Sequence, residues 1–559
     1  MTELSGAQIV IESLKKENVD ILFGYPGGVV IPIFDVLYNE KDIRFILSRH
    51  EQGAVHAADG YSRVTGKPGV VIVTSGPGAT NTITGLATAY MDSIPMIVFS
   101  GQVATQLIGN DAFQEADVTG ITRPVTKHNF LVKDIKDLAR IIKEAFYIAC
   151  SGRPGPVVID LPVDIQRQSL EFIYPEKADI RSYKPNYEGH AKQIKKASEL
   201  IKNAEKPVLY VGGGAIISSA SEDLIKLAEK TNIPVTMTLM GMGSIPTQHK
   251  LSLGMLGMHG TFYANHAVQN SDLLIAVGAR FDDRVTGKLT KFAPHAKIIH
   301  IDIDPTSISK NVKVDIPVVG DAKEIIKQLI NIVQEKKHDN WLKIIERWKK
   351  EAPLSYKKDD DKLRPQYVIE QISEITKGEA IICTEVGQNQ MWAAQYYDFK
   401  YPRTFATSGG LGTMGYGFPA AIGAKLGKPD KQVFDIAGDG SIQMNIQELA
   451  TAVDNKIPVK IAVLNNGCLG MVRQWQELFY DKRYSHVILK GNPDFVKIAE
   501  AYGAHGMRIT DKKDVKKAIQ EALKINNVVV MDFIVEQEEN VYPFVPAGKA
   551  LHEMMRGLA

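Results

Sequence analysis

The chain has 559 residues, of which 44% are apolar, and 66 Lys and Arg residues nearly balance 64 Asp and Glu residues, for a net charge of +2. The length predicts about three or four domains, and the charge balance excludes the strongly basic face that nucleic-acid binding requires. Three cysteines, Cys150, Cys383 and Cys468, lack metal-ligand or disulfide spacing, which is typical of a reducing compartment. No apolar stretch reaches membrane-spanning length and the N-terminus lacks the pattern of a signal or transit peptide, so we expect a soluble, cytoplasmic protein without a membrane partner.

The first third of the chain alternates short apolar strands with helices. A capped amphipathic helix opens it, and later helices are predicted at Ile31–Tyr38, after Glu51 and at Leu138–Cys150. Such alternation is expected of a parallel sheet covered by helices on both faces. A tract rich in Tyr, Pro and charge at 174–189 is interpreted as a linker, so the first domain is predicted at 1–173.

Two further α/β units follow. The second, at 190–350, begins with a Lys-rich helix at Ala191–Asn203 and contains an amphipathic helix predicted at 322–337. A charged run at 357–365 is interpreted as a second linker, and the third domain is predicted at 363–559 with a closing tail. The predicted fold class is therefore α/β, with three doubly wound parallel-sheet domains.

The third unit contains the most informative pattern. An apolar strand runs into the turn Gly438-Asp439-Gly440-Ser441, and after a predicted helix a second strand at 459–464 leads to Asn465-Asn466. Glycines let the backbone approach a ligand, N–H groups at a helix start favour phosphate, and successive parallel strands lie side by side. Carboxylate and amide oxygens suit Mg²⁺, so the pattern indicates a metal-held diphosphate. The alternative is an ordinary strand–helix turn.

The first and third units share a short internal repeat. The string LATA occurs at 86–89 and again at 449–452, each time four residues before an Ile-Pro pair. A Gly-x-Gly turn precedes each copy, at 76–78 and at 438–440. The equal order and spacing predict that the two units are duplicated sheets, of which only the third keeps the Asp and the Asn pair needed for metal.

The turn, strand and Asn pair together resemble the metal–diphosphate motif of thiamine diphosphate enzymes. The resemblance implies that Asp439 and Asn466 bind Mg²⁺ through their side chains and Cys468 through its carbonyl. It also implies that the first unit, a related thiamine-diphosphate-binding fold, holds the aminopyrimidine ring, with Glu51 as the catalytic residue that hydrogen-bonds the ring. The alternative for Glu51 is a helix-start carboxylate that favours the helix dipole.

Several longer strings narrow the resemblance. The chain resembles the catalytic subunit of the acetohydroxyacid synthase (biosynthetic acetolactate synthase) family in five strings: GYPGG at 24–28, AFQE at 112–115, TKHN at 126–129, GARFDDRVTG at 278–287 and QWQ at 474–476. The resemblance implies that Gly28 and Gln114 lie over the reacting carbon, with Gln114 donating to a developing oxyanion. Phe113 and Lys133 would line the substrate entrance.

The same resemblance implies a substrate pair and two cofactor sites. Arg284 would hold the carboxylate of the second 2-keto acid and Trp475 would favour an ethyl group on it; the alternative is an interface Trp and an Arg paired with Asp282 or Asp283. The thiamine diphosphate contacts would be Gly387, Gln388, Asn389, Gly412, Met414, Gly438, Asp439, Gly440, Ser441 and Met471. The FAD contacts would be Arg123, Gly212, Gly213, Gly214, Thr238, Leu239, Leu256, Gly257, Met258, His259, Gly278, Ala279, Arg280, Arg284, Asp302, Ile303 and Asp321. Met414 is alternatively a core residue, and the triple glycine alternatively only turns the chain.

The implied activity is a carboligase with a structural FAD. It would decarboxylate pyruvate and join the two-carbon unit to a second pyruvate, giving 2-acetolactate, or to 2-ketobutyrate, giving 2-aceto-2-hydroxybutyrate, the first step towards valine, leucine and isoleucine. The resemblance also implies a homodimer or tetramer and a separate small regulatory subunit. The alternatives are a thiamine diphosphate–FAD pyruvate oxidase, a catabolic acetolactate synthase and a non-enzymatic cofactor-binding regulatory paralogue.

Overall fold

The computed structural model describes residues 3–358 and 360–557. Three six-stranded parallel sheets follow one another along the chain, each covered by helices, as the sequence predicted. Parts of three predictions lie outside the described residues. They are residues 1–2 of the predicted first domain, residue 359 of the second predicted linker and residues 558–559 of the predicted third domain. No helix in the described ranges is long and apolar enough to cross a membrane.

The first sheet has the strand order β3-β2-β4-β5-β7-β6, and a short antiparallel pair of β1 with β8 lies apart from it. The predicted cap of the first helix is confirmed, because Ser5 and Gln8 exchange hydrogen bonds between side chain and backbone. The strands are β1 (Glu3–Ser5), β2 (Ile21–Tyr25), β3 (Arg44–Leu47), β4 (Gly69–Val73), β5 (Met96–Gln102), β6 (His128–Leu131), β7 (Pro156–Pro162) and β8 (Ser169–Glu171). The helices are α1 (Gly6–Lys16), α2 (Ile31–Tyr38), α3 (Glu51–Thr65), α4 (Pro77–Thr80), α5 (Ile83–Asp92), α6 (Val118–Thr122), α7 (Leu138–Cys150) and α8 (Val163–Arg167).

The central sheet has the order β11-β10-β9-β12-β13-β14, in which the chain reverses direction across the sheet between β9 and β12. This is the strand order of dinucleotide-binding domains, whose ligands lie at that reversal point. Its strands are β9 (Pro207–Val211), β10 (Val235–Met237), β11 (Ser252–Met255), β12 (Leu273–Val277), β13 (Lys297–Asp302) and β14 (Ile316–Val319). Its helices are α9 (Ala191–Asn203), α10 (Gly213–Ile217), α11 (Ser221–Thr231), α12 (Phe262–Asn270), α13 (Asp283–Thr286), α14 (Ala322–Ile332) and α15 (Asp339–Glu351).

The third sheet has the order β16-β15-β17-β18-β20-β19. Its strands are β15 (Ile381–Thr384), β16 (Phe405–Thr407), β17 (Val433–Gly438), β18 (Lys460–Asn465), β19 (His505–Ile509) and β20 (Val529–Ile534). Its helices are α16 (Pro365–Thr376), α17 (Gln388–Tyr396), α18 (Gly417–Gly427), α19 (Glu448–Asp454), α20 (Gly470–Phe479), α21 (Phe495–Ala501) and α22 (Val515–Lys524).

The first and third sheets connect their six strands in the same spatial order, which differs from that of the central sheet. The repeated LATA strings lie on α5 and α19, the helices that join the third and fourth strands of each sheet. The predicted relation between the first and third domains is therefore confirmed at the level of topology. The two glycine turns also occupy equivalent places, each at the carboxyl end of a third strand.

The two related domains pack through α3 and α18, and these helices lie so close that their backbones are in contact. A Cβ atom on Gly423 would lie 1.7 Å from the carbonyl oxygen of Ala57, and one on Gly60 would lie 2.0 Å from that of Ala420. Only glycine leaves room for a neighbouring main chain at such positions. This glycine-lined contact joins segments from opposite ends of the chain.

The helix predicted at 322–337 is shorter in the structure. α14 ends at Ile332, because Val333 turns to an extended conformation and buries its side chain, leaving it 4% exposed. Beyond that point Lys336 donates to the carbonyls of Lys202 and Ala204 at the end of α9. A tertiary contact therefore ends the amphipathic pattern that the sequence predicted to continue.

Candidate active site and cofactor cavity

The glycine turn and the Asn pair lie side by side at one edge of the third sheet. β17 and β18 pair in parallel, with Gly438 opposite Leu464, which brings Asn466 next to Asp439. Both side chains are buried, and the N–H of Cys468 donates to Oδ1 of Asn466 at 3.1 Å. The described residues contain no cluster of three or more His, Cys, Asp or Glu side chains that could hold a metal. The carboxylate of Asp439, the amide oxygen of Asn466 and the carbonyl of Cys468 are hard oxygen donors, so this turn is the metal-site candidate and its chemistry fits Mg²⁺.

The carboxyl group of Asp439 is held by a residue that the sequence did not reveal. Burial raises the pKa of Asp439 to about 6, and the hydrogen bond from Nδ2 of Asn492 opposes that shift. A divalent cation would favour the ionised carboxylate in the same way. Asn492 lies in a separate loop, and no local pattern in the sequence connects it with the glycine turn.

The helix predicted directly after the turn begins later. Residues Ile442–Met444 form a single 3₁₀ turn, and the α-helix α19 starts only at Glu448. Asn445 interrupts the helix, because its φ is −135° and its side chain donates to the carbonyl of Gly415 at 2.7 Å. The N–H groups near the diphosphate candidate site therefore belong to a turn rather than to the start of a regular helix.

Two amides follow the neighbouring strand β15. Gln388 Oε1 accepts from Nδ2 of Asn466 at 3.3 Å, and its Nε2 donates to Gln474 Oε1 at 2.9 Å. Asn389 Nδ2 donates to the carbonyl oxygens of Glu385 and Ile436 at the ends of β15 and β17. Gln388 thus contacts a candidate metal ligand, whereas Asn389 joins the two strand ends that flank the site.

Met414 lies over the glycine turn. Its Cε would be 4.0 Å from a Cβ on Gly440, and the next residue, Gly415, donates its N–H to Glu385 Oε2 at 2.6 Å. The Met414 side chain is half-buried and lines a cavity. This position favours support of a ligand over the alternative of core packing.

One cavity of about 720 Å³ runs from this turn to the central domain. All predicted thiamine diphosphate contacts and the three candidate metal ligands line it. All predicted FAD contacts line it as well, except Arg123 and Gly257. The predicted FAD contacts in that lining are Gly212, Gly213, Gly214, Thr238, Leu239, Leu256, Met258, His259, Gly278, Ala279, Arg280, Arg284, Asp302, Ile303 and Asp321.

The glycine turns of the central domain touch each other at the reversal point of its sheet. A Cβ on Gly212, after β9, would lie 2.2 Å from the carbonyl oxygen of Gly278, after β12. Gly278 has a φ of +57°, a conformation that favours glycine. The close contact leaves bare backbone facing the cavity, which is how such domains admit a dinucleotide. The triple glycine therefore lines the candidate dinucleotide crevice.

The first domain forms a separate cluster around its own glycine turn. Asn81 Nδ2 donates to Glu51 Oε2 at 3.0 Å, and a Cβ on Gly78 would lie 3.5 Å from Glu51 Oε1. The backbone of Gln114, whose φ is +58°, lies against Gly76. Gly28, Phe113, Lys133 and Arg123 are exposed. Within residues 3–358 and 360–557, none of the six predicted functional residues of the first domain lines the large cavity.

Comparison with known proteins agrees with this architecture. Three models of thiamine pyrophosphate enzymes match: the N-terminal TPP binding domain at residues 4–121, the central domain at 194–329 and the C-terminal TPP binding domain at 385–533. The acetolactate synthase large subunit of Haemophilus influenzae is 50% identical over 99% of this chain and 98% of its own length. The isozyme 3 large subunit of Escherichia coli is 50% identical over 99% of both chains, and the large subunit of Corynebacterium glutamicum is 51% identical over 99% of this chain and 90% of its own.

The chain belongs to the acetolactate synthase family. Enzymes of this family use thiamine diphosphate, Mg²⁺ and FAD. The residues present fit these groups, because an oxygen ligand set and a glycine-lined dinucleotide crevice open into one cavity.

The pair that the acetolactate synthase resemblance assigns to substrate lies at the same cavity. Trp475 on α20 is 36% exposed and Arg284 on α13 is more exposed, and both contribute to the cavity lining. Arg284 Nη1 is 3.3 Å from Asp283 Oδ2, the surface pair that the alternative interpretation named. An exposed pair of this kind is weak, so the guanidinium is available to an incoming carboxylate.

The C-terminal tail of this family member joins α20 to the central domain. Val541 exchanges two hydrogen bonds with the side chain of Gln474, at 2.9 and 3.0 Å. Further along, the N–H of Val545 donates to the carbonyl of Met258 at 2.7 Å. The tail thus connects the neighbour of Trp475 with a residue of the cavity wall, a position compatible both with a cover over the site and with a surface strap.

Proposed function

We propose that this chain is the catalytic subunit of an acetolactate synthase. It decarboxylates pyruvate and joins the two-carbon unit to a second pyruvate, giving 2-acetolactate, or to 2-ketobutyrate, giving 2-aceto-2-hydroxybutyrate. The observation that supports this activity best is one cavity lined both by the candidate ligands for the metal and diphosphate and by the glycines of the dinucleotide crevice. The near-complete coverage of relatives that carry this name supports the same activity and its place in valine, leucine and isoleucine synthesis. The three free cysteines fit a cytoplasmic location.

Thiamine diphosphate, when bound, supplies the electron sink for decarboxylation and for the new carbon–carbon bond. Asp439, Asn466 and the carbonyl of Cys468 would hold Mg²⁺, and Met414, which lies over the glycine turn, would support the cofactor. The carboxyl group of Glu51, whose Oε2 accepts a hydrogen bond from Nδ2 of Asn81, would share a proton with the aminopyrimidine ring. Such a positioned carboxyl group provides general acid–base catalysis.

The remaining residues handle the substrate. Gln114 donates to the oxygen on which negative charge develops, and Gly28 leaves space above the reacting carbon because no atom lies within 4 Å of its missing Cβ. Phe113 and Lys133 line the entrance. Arg284 binds the carboxylate of the acceptor acid with its planar guanidinium, and Trp475 contacts the acceptor's alkyl group.

The active unit is a homodimer in this proposal. Glu51 does not line the cavity that the metal ligands line, which supports a site completed by the Glu51 cluster of a second copy. Oligomers in which each site takes residues from both chains follow from two-fold symmetry. A tetramer is a dimer of such pairs, and the name "large subunit" of the relatives supports a separate regulatory chain.

FAD has a structural role in this proposal, because the reaction involves no net oxidation or reduction. Asp302, at the carboxyl end of β13, is the candidate that hydrogen-bonds the ribose of the dinucleotide. We expect Asp302→Ala to weaken FAD binding by about tenfold, the usual worth of a hydrogen bond to a charged group. Titration of the apoprotein with FAD, followed by flavin fluorescence, measures this change.

Asp315→Ala is the matched control for that titration. Asp315 accepts the N–H of Ile298 in the same sheet and is absent from the cavity lining. Equal FAD affinity in the two variants would show that Asp302 does not bind the flavin.

The activity itself is tested by product analysis. Pyruvate is supplied with thiamine diphosphate and Mg²⁺, with and without FAD, to the wild type and to Glu51→Gln. We expect 2-acetolactate only with FAD, no net flavin reduction, and a rate about 10²- to 10⁴-fold lower in the variant, the usual contribution of a general acid–base group. Acetyl phosphate or reduced flavin would instead identify a pyruvate oxidase. Full activity without FAD would identify a catabolic enzyme, and cofactor binding without turnover a regulatory paralogue.

A further inference from the structure

A contact between the first and third domains lies directly beside Glu51. Glu448, the first residue of α19, extends its side chain to the segment that precedes α3. Both of its carboxylate oxygens accept the N–H of Arg49, at 3.1 and 3.2 Å, and Oε1 accepts the N–H of His50 at 3.0 Å. Glu51 is the next residue of the chain.

The carboxylate occupies a site built for it. Glu448 is 1% exposed, and the hydroxyl of Thr451 donates to its Oε2 at 2.6 Å. A Cβ on residue 53 would lie 2.4 Å from Glu448 Oε1, so the glycine found there leaves room for the carboxylate. Burial raises the pKa of Glu448 to about 7, and the N–H and hydroxyl donors oppose this shift. A group that is costly to bury is thus retained where two domains meet.

We propose that Glu448 is a positioning residue for the catalytic carboxylate of Glu51. His50 is the N-cap of α3, and its N–H lacks a helical partner. Glu448 accepts this N–H together with that of Arg49, the residue just before the cap. It therefore holds the backbone directly before Glu51 and so orients the Glu51 side chain. This inference rests on the proposed function of Glu51.

The other end of the same segment supports the Met414 loop. The N–H of Glu448 donates to the carbonyl of Asn445 at 3.1 Å, and the Asn445 side chain donates to Gly415, the residue after Met414. One short segment thus holds both the Glu51 backbone and the Met414 loop. In the homodimer these two supports serve different active sites.

The duplicated domain repeats the device. Asp92, at the end of α5, accepts the N–H groups of Gly409 and Gly410 at 3.1 and 2.7 Å. These glycines follow β16, the strand equivalent to β3, and precede the Met414 loop. Each related domain therefore fixes, with a buried carboxylate, the catalytic loop of the other.

The test uses the full-length holoenzyme and two substitutions. Glu448→Gln keeps one acceptor oxygen and Glu448→Ala keeps none. We measure the rate at which the C2 proton of bound thiamine diphosphate exchanges with deuterated solvent, and in parallel the dissociation constants of thiamine diphosphate and Mg²⁺. We expect the exchange to slow by about tenfold in Glu448→Gln and by about 100-fold in Glu448→Ala, because small misplacements of catalytic groups have effects of this size. Cofactor affinity should stay within about threefold of wild type.

Two further variants keep the test decisive. Gly53→Ala crowds the Glu448 carboxylate without removing it and is expected to slow the exchange. This variant provides the test if the Glu448 variants fail to fold. Asp272→Asn is the matched control, because Asp272 also accepts two successive N–H groups, those of Glu205 and Lys206, but in the central domain. It should leave the exchange rate unchanged.

Glu51→Gln separates the two proposals. If that variant loses exchange while the foldable variants at positions 448 and 53 retain it within about twofold, the positioning role is wrong and the proposed function stands. If Glu51→Gln itself retains exchange and product formation, the proposed role of Glu51 is wrong.

Discussion

Two inactive variants of this chain, Glu51→Gln and Asp439→Asn, are expected to form an active heterodimer. Each substitution alone disables both sites of a homodimer. In the mixed dimer, one site receives Glu51 from one chain and Asp439 from the other, so about half of the wild-type activity per dimer returns. The measurement is 2-acetolactate formation by a heterodimer purified through two different affinity tags.

The reciprocal mixture is the control. A wild-type chain paired with the double variant Glu51→Gln/Asp439→Asn has no complete site if each site takes residues from both chains, and should be inactive. If both functional groups of a site came from one chain, the two results would exchange: the first mixture would be inactive and the second half active. The pair of heterodimers therefore contradicts or supports the composite site without any other assumption about rates.

Gly423→Ala is expected to separate the first and third domains. The new Cβ would lie 1.7 Å from the carbonyl of Ala57, and backbone cannot move away as a flexible side chain does. We expect a loss of about 3 kcal/mol or more in the free energy of unfolding, at the upper end of overpacking effects. Chemical denaturation followed by fluorescence, together with limited proteolysis between the domains, measures the loss.

Gly491→Ala serves as the comparison for that experiment. Nothing lies within 4 Å of the added methyl group at position 491. If Gly423→Ala unfolds at the same denaturant concentration as Gly491→Ala, the close helix contact does not hold the domains together.

Local patterns predicted the parts of the site that are contiguous in sequence. The turn at 438–441 and the Asn pair follow two successive apolar strands, which are expected to lie side by side, so their proximity could be predicted locally. The glycines after β9 and β12 were assigned to the flavin only through the family resemblance. The repeat of LATA predicted the duplication, which the shared strand order of the first and third sheets confirms.

Contacts between distant segments could not be predicted in this way. Asn492 approaches Asp439 from a loop beyond α20, and Glu448 approaches Arg49 from the opposite end of the chain. Neither residue has a spacing that distinguishes it from an ordinary polar residue of a loop or helix start. The early end of α14 has the same cause, because a tertiary contact of Lys336 overrides local amphipathic periodicity.

The packing of α3 on α18 has a consequence for biosynthesis. The face of α3 that α18 covers leaves the ribosome in the first part of translation, but α18 follows only about 350 residues later, which at 5–20 residues per second is about 20–70 s. During that interval the first domain displays an apolar, glycine-lined surface without its partner. The nascent chain is therefore most vulnerable to aggregation while the central domain is being made, and chaperone binding should concentrate there.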